Sequence, residues 1–369
     1  MLRLPQTRVF VDAKIRRLND ALTRKPDSLP VATELAQLYL DVAGRTRDAR
    51  YYGYAQSVLT PWMTQADVPA RTYRARIALH QYFHRYTEAR ADLGVLLKLA
   101  PDDAHAWFDL ALLQVANDDA AAALRSCASL QELDPTAAKL CEGYVKITGP
   151  DIAGGYALLV AALQDLPADD PGQRRWTLTA LADAAWRMQK FDQAEAYFRQ
   201  AHQLDANATD VLTGYTDFLL ERGRPQDALA AIDNAPDTII VLMRRCLAYA
   251  ALSDARYADA VTDLSQRIEQ RELLGDQPYY AEEIRAQLYL LKNVPRGLAL
   301  ASENWRQMKT PLTARLLMEA ALAAHNPAAV ADVRRWLAEN PGVYPALNTM
   351  ASAKAAAGAI TQGGAHAAR

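Results

Sequence analysis

Residues able to do chemistry are present in this chain, but none is grouped as a reaction requires. His80 and His84 stand four apart and would share one helix face, the first half of a metal site, yet no third ligand follows at a diagnostic spacing. They read as surface or packing histidines, and His105, His202, His325 and His366 are isolated. The paired carboxylates Asp102-Asp103, Asp118-Asp119 and Asp169-Asp170 fall at turns, where Asp is favoured for capping. No G-x-S-x-G, phosphate-binding GxxxxGK[ST] or dinucleotide-binding GxGxxG occurs, and Gly154-Gly155 reads as a place where two helices pack closely. Catalytic, cofactor-binding and metal-ligating residues are therefore expected to be absent.

The three cysteines, Cys127, Cys141 and Cys246, match no zinc or redox spacing. Cys127 and Cys141 occupy seats that face each other in the repeat described below. They can pair as a disulfide in an oxidising compartment, or serve as two small core residues.

Such sparse chemistry has to be read against the elements that carry it. The 369 residues are 51% hydrophobic with a net charge of −2, enough for a core but without the basic balance of a non-specific nucleic-acid binder. No apolar run approaches the 18 residues of a membrane span, and residues 1–14 lack the apolar stretch of a signal peptide. As written, the sequence predicts a cytoplasmic protein; a signal peptide missing upstream of Met1 would make it periplasmic.

One pattern recurs from Ala70 onward. Units start at residues 70, 104, 138, 175, 209, 241, 280 and 310, spaced 34, 34, 37, 34, 32, 39 and 30 apart. The clearest copy runs from Arg175 to Ala208, with Leu181, Ala182 and Ala185 in its first half and Ala194, Phe198 and Ala201 in its second. Small residues at the eighth and twentieth positions let two helices approach. Large ones at the fourth, seventh and twenty-fourth fill the gap to the next pair, and proline at the thirty-second ends the second helix. In the unit from 280 the register places Ala299 at the twentieth position, with Glu303 in the large-residue seat; that unit is degenerate.

These residues resemble the tetratricopeptide-repeat (TPR) superfamily over about 300 positions. The segments Arg50–Trp62, Tyr215–Leu229 and Arg296–Leu322 are similar to a group of uncharacterised bacterial TPR proteins. The resemblance implies an all-α fold, a right-handed TPR superhelix (α-solenoid) of about eight helical hairpins. Four regions are expected: degenerate TPR-like helices with a Tyr-rich insertion over 1–69, the central array over 70–274, degenerate hairpins over 275–350 and a disordered tail over 351–369. The insertion is placed at Gly44–Gly53, before a second helix from Tyr54 to Leu59.

A TPR superhelix lines its concave groove with the second, fifth, ninth, twelfth and thirteenth positions of each first helix. On this chain the candidate partner-binding residues are Arg74, Tyr82, Phe108, Asp183, Trp186, Arg187, Asp217, Arg245 and Tyr249, aromatic and arginine types being enriched at hot spots. The function expected is a non-enzymatic scaffold that holds a protein or peptide partner in that groove, without nucleic acid, membrane insertion or cofactor. The alternatives are an exported protein of envelope assembly or structure, and a regulator binding a small signal molecule.

Overall fold

The computed structural model describes residues 6–46, 50–347 and 349–350. The tail expected over 351–369 lies outside the described residues. Among those described, every regular element is helical. The chain divides into two compact units, 1–113 and 114–369.

The first unit holds α1 (Gln6–Arg24), α2 (Leu29–Thr46), α3 (Arg50–Leu59), a 3₁₀ turn (Thr60–Trp62), α4 (Ala70–Tyr82) and α5 (Tyr86–Leu99). The boundary falls within α6 (Ala104–Ala116). The expected insertion is mostly helix: α2 runs on to Thr46, and α3 begins at Arg50 with Gly53 inside it.

The second unit runs through α7 (Ala120–Ala128), α8 (Pro135–Thr148), α9 (Ile152–Asp165), α10 (Pro171–Arg187), α11 (Phe191–Leu204), α12 (Thr209–Glu221) and α13 (Pro225–Ala231). It continues through α14 (Ile239–Leu252), α15 (Tyr257–Leu273), α16 (Tyr280–Arg285), α17 (Val294–Gln307), α18 (Pro311–Ala323) and α19 (Pro327–Glu339). Helices pair as hairpins, α8 with α9, α10 with α11 and so on, and the first helices α10, α12 and α14 also pack in succession. One hairpin cannot cover its own apolar face, so stacking supplies the core.

Local chemistry sets the boundaries. Asp119, Asp134, Asp151 and Asp170 each accept a hydrogen bond from a backbone N–H in the first turn of the helix that follows. The alanines at the twentieth position, Ala89, Ala123, Ala194 and Ala228, are completely buried. Gly155 permits a close approach of two helix backbones: a Cβ there would lie 2.6 Å from the Gly143 carbonyl oxygen and the Ile147 nitrogen. Several hairpins turn through one left-handed residue, among them His84 (φ 54°), Gln189 (φ 61°) and Gly223 (φ 69°).

His84 is thus a turn residue beyond the end of α4 and does not share a helix face with His80. The unit from 280 departs from its expected register: α16 runs into a π-helical turn, Ala286–Leu290, and the second helix α17 is capped by Asn293. The small seat falls to Gly297, whose Cβ would meet the Leu288 side chain at 2.8 Å, while Ala299 is exposed. Four residues on, the large seat falls to Ala301, 1% exposed, and the bulk is supplied one turn later by Trp305, at 8% exposure, while Glu303 stays exposed.

Candidate functional site

The groove candidates on the first unit sit on α4 and α6. Arg74 is exposed and pairs with Asp103, its Nη2 2.7 Å from Oδ2. Tyr82 stacks face to face on Tyr52 of α3, ring centroids 3.6 Å apart. Phe108 is half-buried on α6. Beside it, burial pushes the Asp109 carboxyl up to about 6, against a hydrogen bond from Gln81 and the nearby His105.

In the second unit the first-helix face carries alternating charge. On α12, burial raises the Asp217 carboxyl, but Arg244 and Arg285 outweigh it and hold the group below its usual range. Arg244, 1% exposed, also donates to Glu282 at 3.0 Å, so charges from α12, α14 and α16 are joined through one guanidinium. Buried charge survives only where paired and hydrogen-bonded, which this arrangement achieves.

Arg187, at the end of α10, is 3% exposed. Its Nη1 donates to the carbonyl of Ile147 at 2.8 Å and to that of Val343 at 2.9 Å, 156 residues away. Ile147 belongs to the last turn of α8, whose carbonyls have no intrahelical partner. Arg187 therefore satisfies a helix end and holds the segment after α19 with the same atom.

Other contacts make the same closure. The Lys309 backbone N–H donates to the Ala116 carbonyl at 2.9 Å. The Trp336 indole N–H donates to Asp118 at 3.0 Å. Arg315 of α18 reaches Glu221 at 2.5 Å and lies over the Trp186 ring, 5.7 Å from its centroid. The last hairpin of the second unit is thus fastened to its first turns, and Asp183, Trp186 and Arg187 face that fastening. Asp183 pairs with Arg187 and stays half exposed.

Trp186 also packs edge-on against Phe218, ring centroids 5.7 Å apart, and donates from its indole nitrogen to Glu221 at 3.2 Å. It has a packing contact as well as a partly open face.

Arg245 and Tyr249 lie elsewhere. With Leu229, Ala230, Asp233, Asn234 and Arg256 they line an open pocket of about 410 Å³. Arg256 stacks over the Tyr249 ring at 4.4 Å, and Arg245 donates to the Ile232 carbonyl at 3.2 Å.

The sulfurs of Cys127 and Cys141 stand at bonding distance, 2.02 Å, with Cα atoms 5.4 Å apart. Cys246 is buried and burial pushes its thiol up to about 12. Among the described residues no group of three or more His, Cys, Asp or Glu is set to hold a metal, and no helix is long and apolar enough to cross a membrane.

Sequence reasoning missed Arg244, Arg285 and Arg315. The signal was present: Arg244 stands inside the apolar run IIVLMRRC, where a charge must find a partner.

A tetratricopeptide-repeat family profile matches residues 185–238. A TPR protein from Parabacteroides merdae ATCC 43184 is similar in structure, with 13% identity, 64% of this chain and 92% of that chain covered, and a TM-score of 0.49. PilF of Pseudomonas aeruginosa aligns with 18% identity over 53% of this chain and 90% of its own, TM-score 0.41. The human IFIT1 dimer, solved with m7Gppp-AAAA, aligns with 10% identity over 95% of this chain and 87% of its own, TM-score 0.47. No curated protein matches the sequence significantly. A matching profile over residues 185–238, hairpins at the repeat's spacing and small residues buried at the helix crossings together support a fold of the tetratricopeptide-repeat type.

Proposed function

We propose that the protein is a non-catalytic scaffold that binds a segment of another protein, and that Arg245 and Tyr249 form the docking point. The observation that carries this reading is the pocket between α13, α14 and the start of α15. One wall is apolar, from Leu229, Ala230 and the Tyr249 ring; the other is polar, from Arg245, Arg256, Asp233 and Asn234. An aromatic ring beside guanidinium groups is the composition of a protein-binding hot spot. A partner side chain with an apolar stem and an acidic tip fits both walls.

The test begins with capture of partners on the immobilised full chain, followed by titration calorimetry. Arg245→Ala and Tyr249→Ala are each expected to weaken binding by about 30-fold, the equivalent of a ~2 kcal/mol hot spot. Unchanged affinity in folded variants sinks this site.

A second reading, an exported protein of the cell envelope, draws support from one observation. Cysteines at bonding distance belong to an oxidising compartment. Fractionation of the native cells, with thiol labelling of Cys127 and Cys141, decides between compartments. Reduced thiols in a cytoplasmic fraction reject the second reading.

A further inference from the structure

The fastening of the second unit carries information about ligand chemistry. Arg315 extends from α18, where its own hairpin holds it: Nε donates to Glu319 at 2.7 Å and Nη1 to the Tyr344 hydroxyl at 2.8 Å. The remaining nitrogen crosses to Glu221 at the end of α12, and the guanidinium carbon lies over the Trp186 ring of α10, 5.7 Å from its centroid. The receiving surface is thus a tryptophan face with one carboxylate at its edge. Asp183, about half exposed, lies one turn before Trp186 on the same helix.

Trp186 is held in place from behind. Phe218 and Phe198 meet its ring edge-on, and its indole nitrogen is tied to Glu221, so both groups that receive the cation are fixed to each other. A tryptophan face with a carboxylate beside it selects a flat, delocalised cation over a compact, strongly hydrated one. Glu221 is 41% exposed in its side chain, so the surface is reachable from solvent at that edge.

We infer that the Trp186–Glu221 surface is a recognition site for an arginine side chain on a partner segment, and that Arg315 is its internal occupant when the second unit is fastened. This rests on the scaffold reading but concerns a different surface from the Arg245–Tyr249 pocket. An incoming arginine displaces Arg315 from Trp186 and Glu221, leaving it with Glu319 and Tyr344. The partner therefore competes with a group already in place, and a segment bearing one arginine binds weakly unless neighbouring contacts assist it.

The experiment uses the full chain and a small probe, N-acetyl-arginine amide, with N-acetyl-lysine amide as the control. Arg315→Met keeps most of the stem and removes the guanidinium. This variant should bind the arginine probe weakly, with a Kd of roughly 10 mM followed by NMR titration, since one cation–π contact and one half-exposed ion pair supply about 2–3 kcal/mol together. It should bind the lysine probe at least about tenfold more weakly, since the planar fork is what the ring and carboxylate select. Adding Trp186→Leu should abolish the preference.

Equal binding of the two probes by the folded variant overturns the inference, as does a preference that survives Trp186→Leu. If Arg315→Met does not fold, the wild-type chain is titrated instead and followed by hydrogen exchange. The arginine probe should then raise exchange across α18, and the lysine probe should not; unchanged exchange with both overturns the proposal. Because neither arm involves the pocket, failure here leaves the Arg245–Tyr249 titration to stand or fall alone.

Discussion

Arg187→Ala separates a residue that holds the fold from one that waits for a ligand. The guanidinium is almost wholly buried and gives two hydrogen bonds from one nitrogen to backbone carbonyls, at 2.8 and 2.9 Å. A hydrogen bond from a charged donor contributes about 1.5–3 kcal/mol, and a buried carbonyl left without a donor costs about 1–3 kcal/mol. Against this, the variant no longer has to bury a charge, which offsets part of the loss. Asp183, the other partner, is half exposed and rehydrates at little cost. The balance is a destabilisation of about 3 kcal/mol.

For a unit of this size each 1 kcal/mol moves the melting temperature by roughly 2–4 °C, so the expected fall is roughly 6–12 °C. Circular dichroism melting of the full chain measures it, and hydrogen exchange localises it to residues 340–347 and the end of α8. Arg245→Ala, which removes one half-buried bond at 3.2 Å, is the internal control and should cost ~1 kcal/mol. A melting temperature within about 2 °C of wild type for Arg187→Ala refutes the assignment of Arg187 to the fastening. Its side chain would then have to be free for a ligand, as its position in the repeat alone suggested.

Three further outcomes follow from the packing and the titrating groups. Gly155→Ala should cost about 1–3 kcal/mol because backbone atoms of α8 stand 2.6 Å from the new Cβ, whereas Gly94→Ala, in open space within α5, should stabilise by about 0.5–1 kcal/mol; denaturant midpoints compare them. Reduction of the Cys127–Cys141 bond, which closes a loop of sequence separation 14, should lower stability by about 3 kcal/mol on the chain-entropy account, read as a lower melting temperature in dithiothreitol; no change means the bond does not form in solution. In the first unit two groups work against each other between pH 4 and 6.5. Burial lowers His80 to about 4, so the unfolded chain binds the extra proton and stability falls as pH drops through this window; Asp109, raised to about 6, binds its proton in the folded chain and gives the opposite slope. Asp109→Asn should therefore raise stability at pH 8 by up to ~3 kcal/mol and unmask a loss of stability on acidification that wild type conceals. A variant with the wild-type profile shows that Asp109 keeps an ordinary carboxyl.

The fold was legible because its determinants are local and periodic. Ala89, Ala123, Ala194 and Ala228 recur at one position, and each is buried where two helices cross. The register slipped at Ala299 because α17 starts at Val294, which puts Gly297 rather than Ala299 four residues past the helix cap, and nothing in the composition marks that start. His84 was placed on the helix of His80 because nothing in its type announces a left-handed turn. The fastening of the second unit was not legible at all. Arg187 to Val343 and Trp336 to Asp118 join residues 156 and 218 positions apart, and one chain read alone does not say which distant carbonyl an arginine will meet.

The division of labour between the two kinds of contact follows from their energetics. From one hairpin to the next the burial is apolar and continuous, as with Phe218 and Leu219 of α12 packed with Phe198 and Ala194 of α11, and apolar burial is favourable at any orientation. Fastening a last hairpin to a first turn is a different problem, because the angle accumulated over successive hairpins must come out right. The hydrogen bonds that perform it are directional and reward only one arrangement: the Lys309 amide on a carbonyl, the Trp336 indole on a carboxylate, the Arg187 Nη1 on carbonyls of two chain segments. Such contacts hold the unit in register while adding less net stability than an apolar seam of equal area, since water competes for each of them. On the inference drawn above, a partner arginine exchanges with Arg315 on Trp186 and Glu221 before it disturbs any other contact of the fastening, because this contact is already open to solvent at the Glu221 edge.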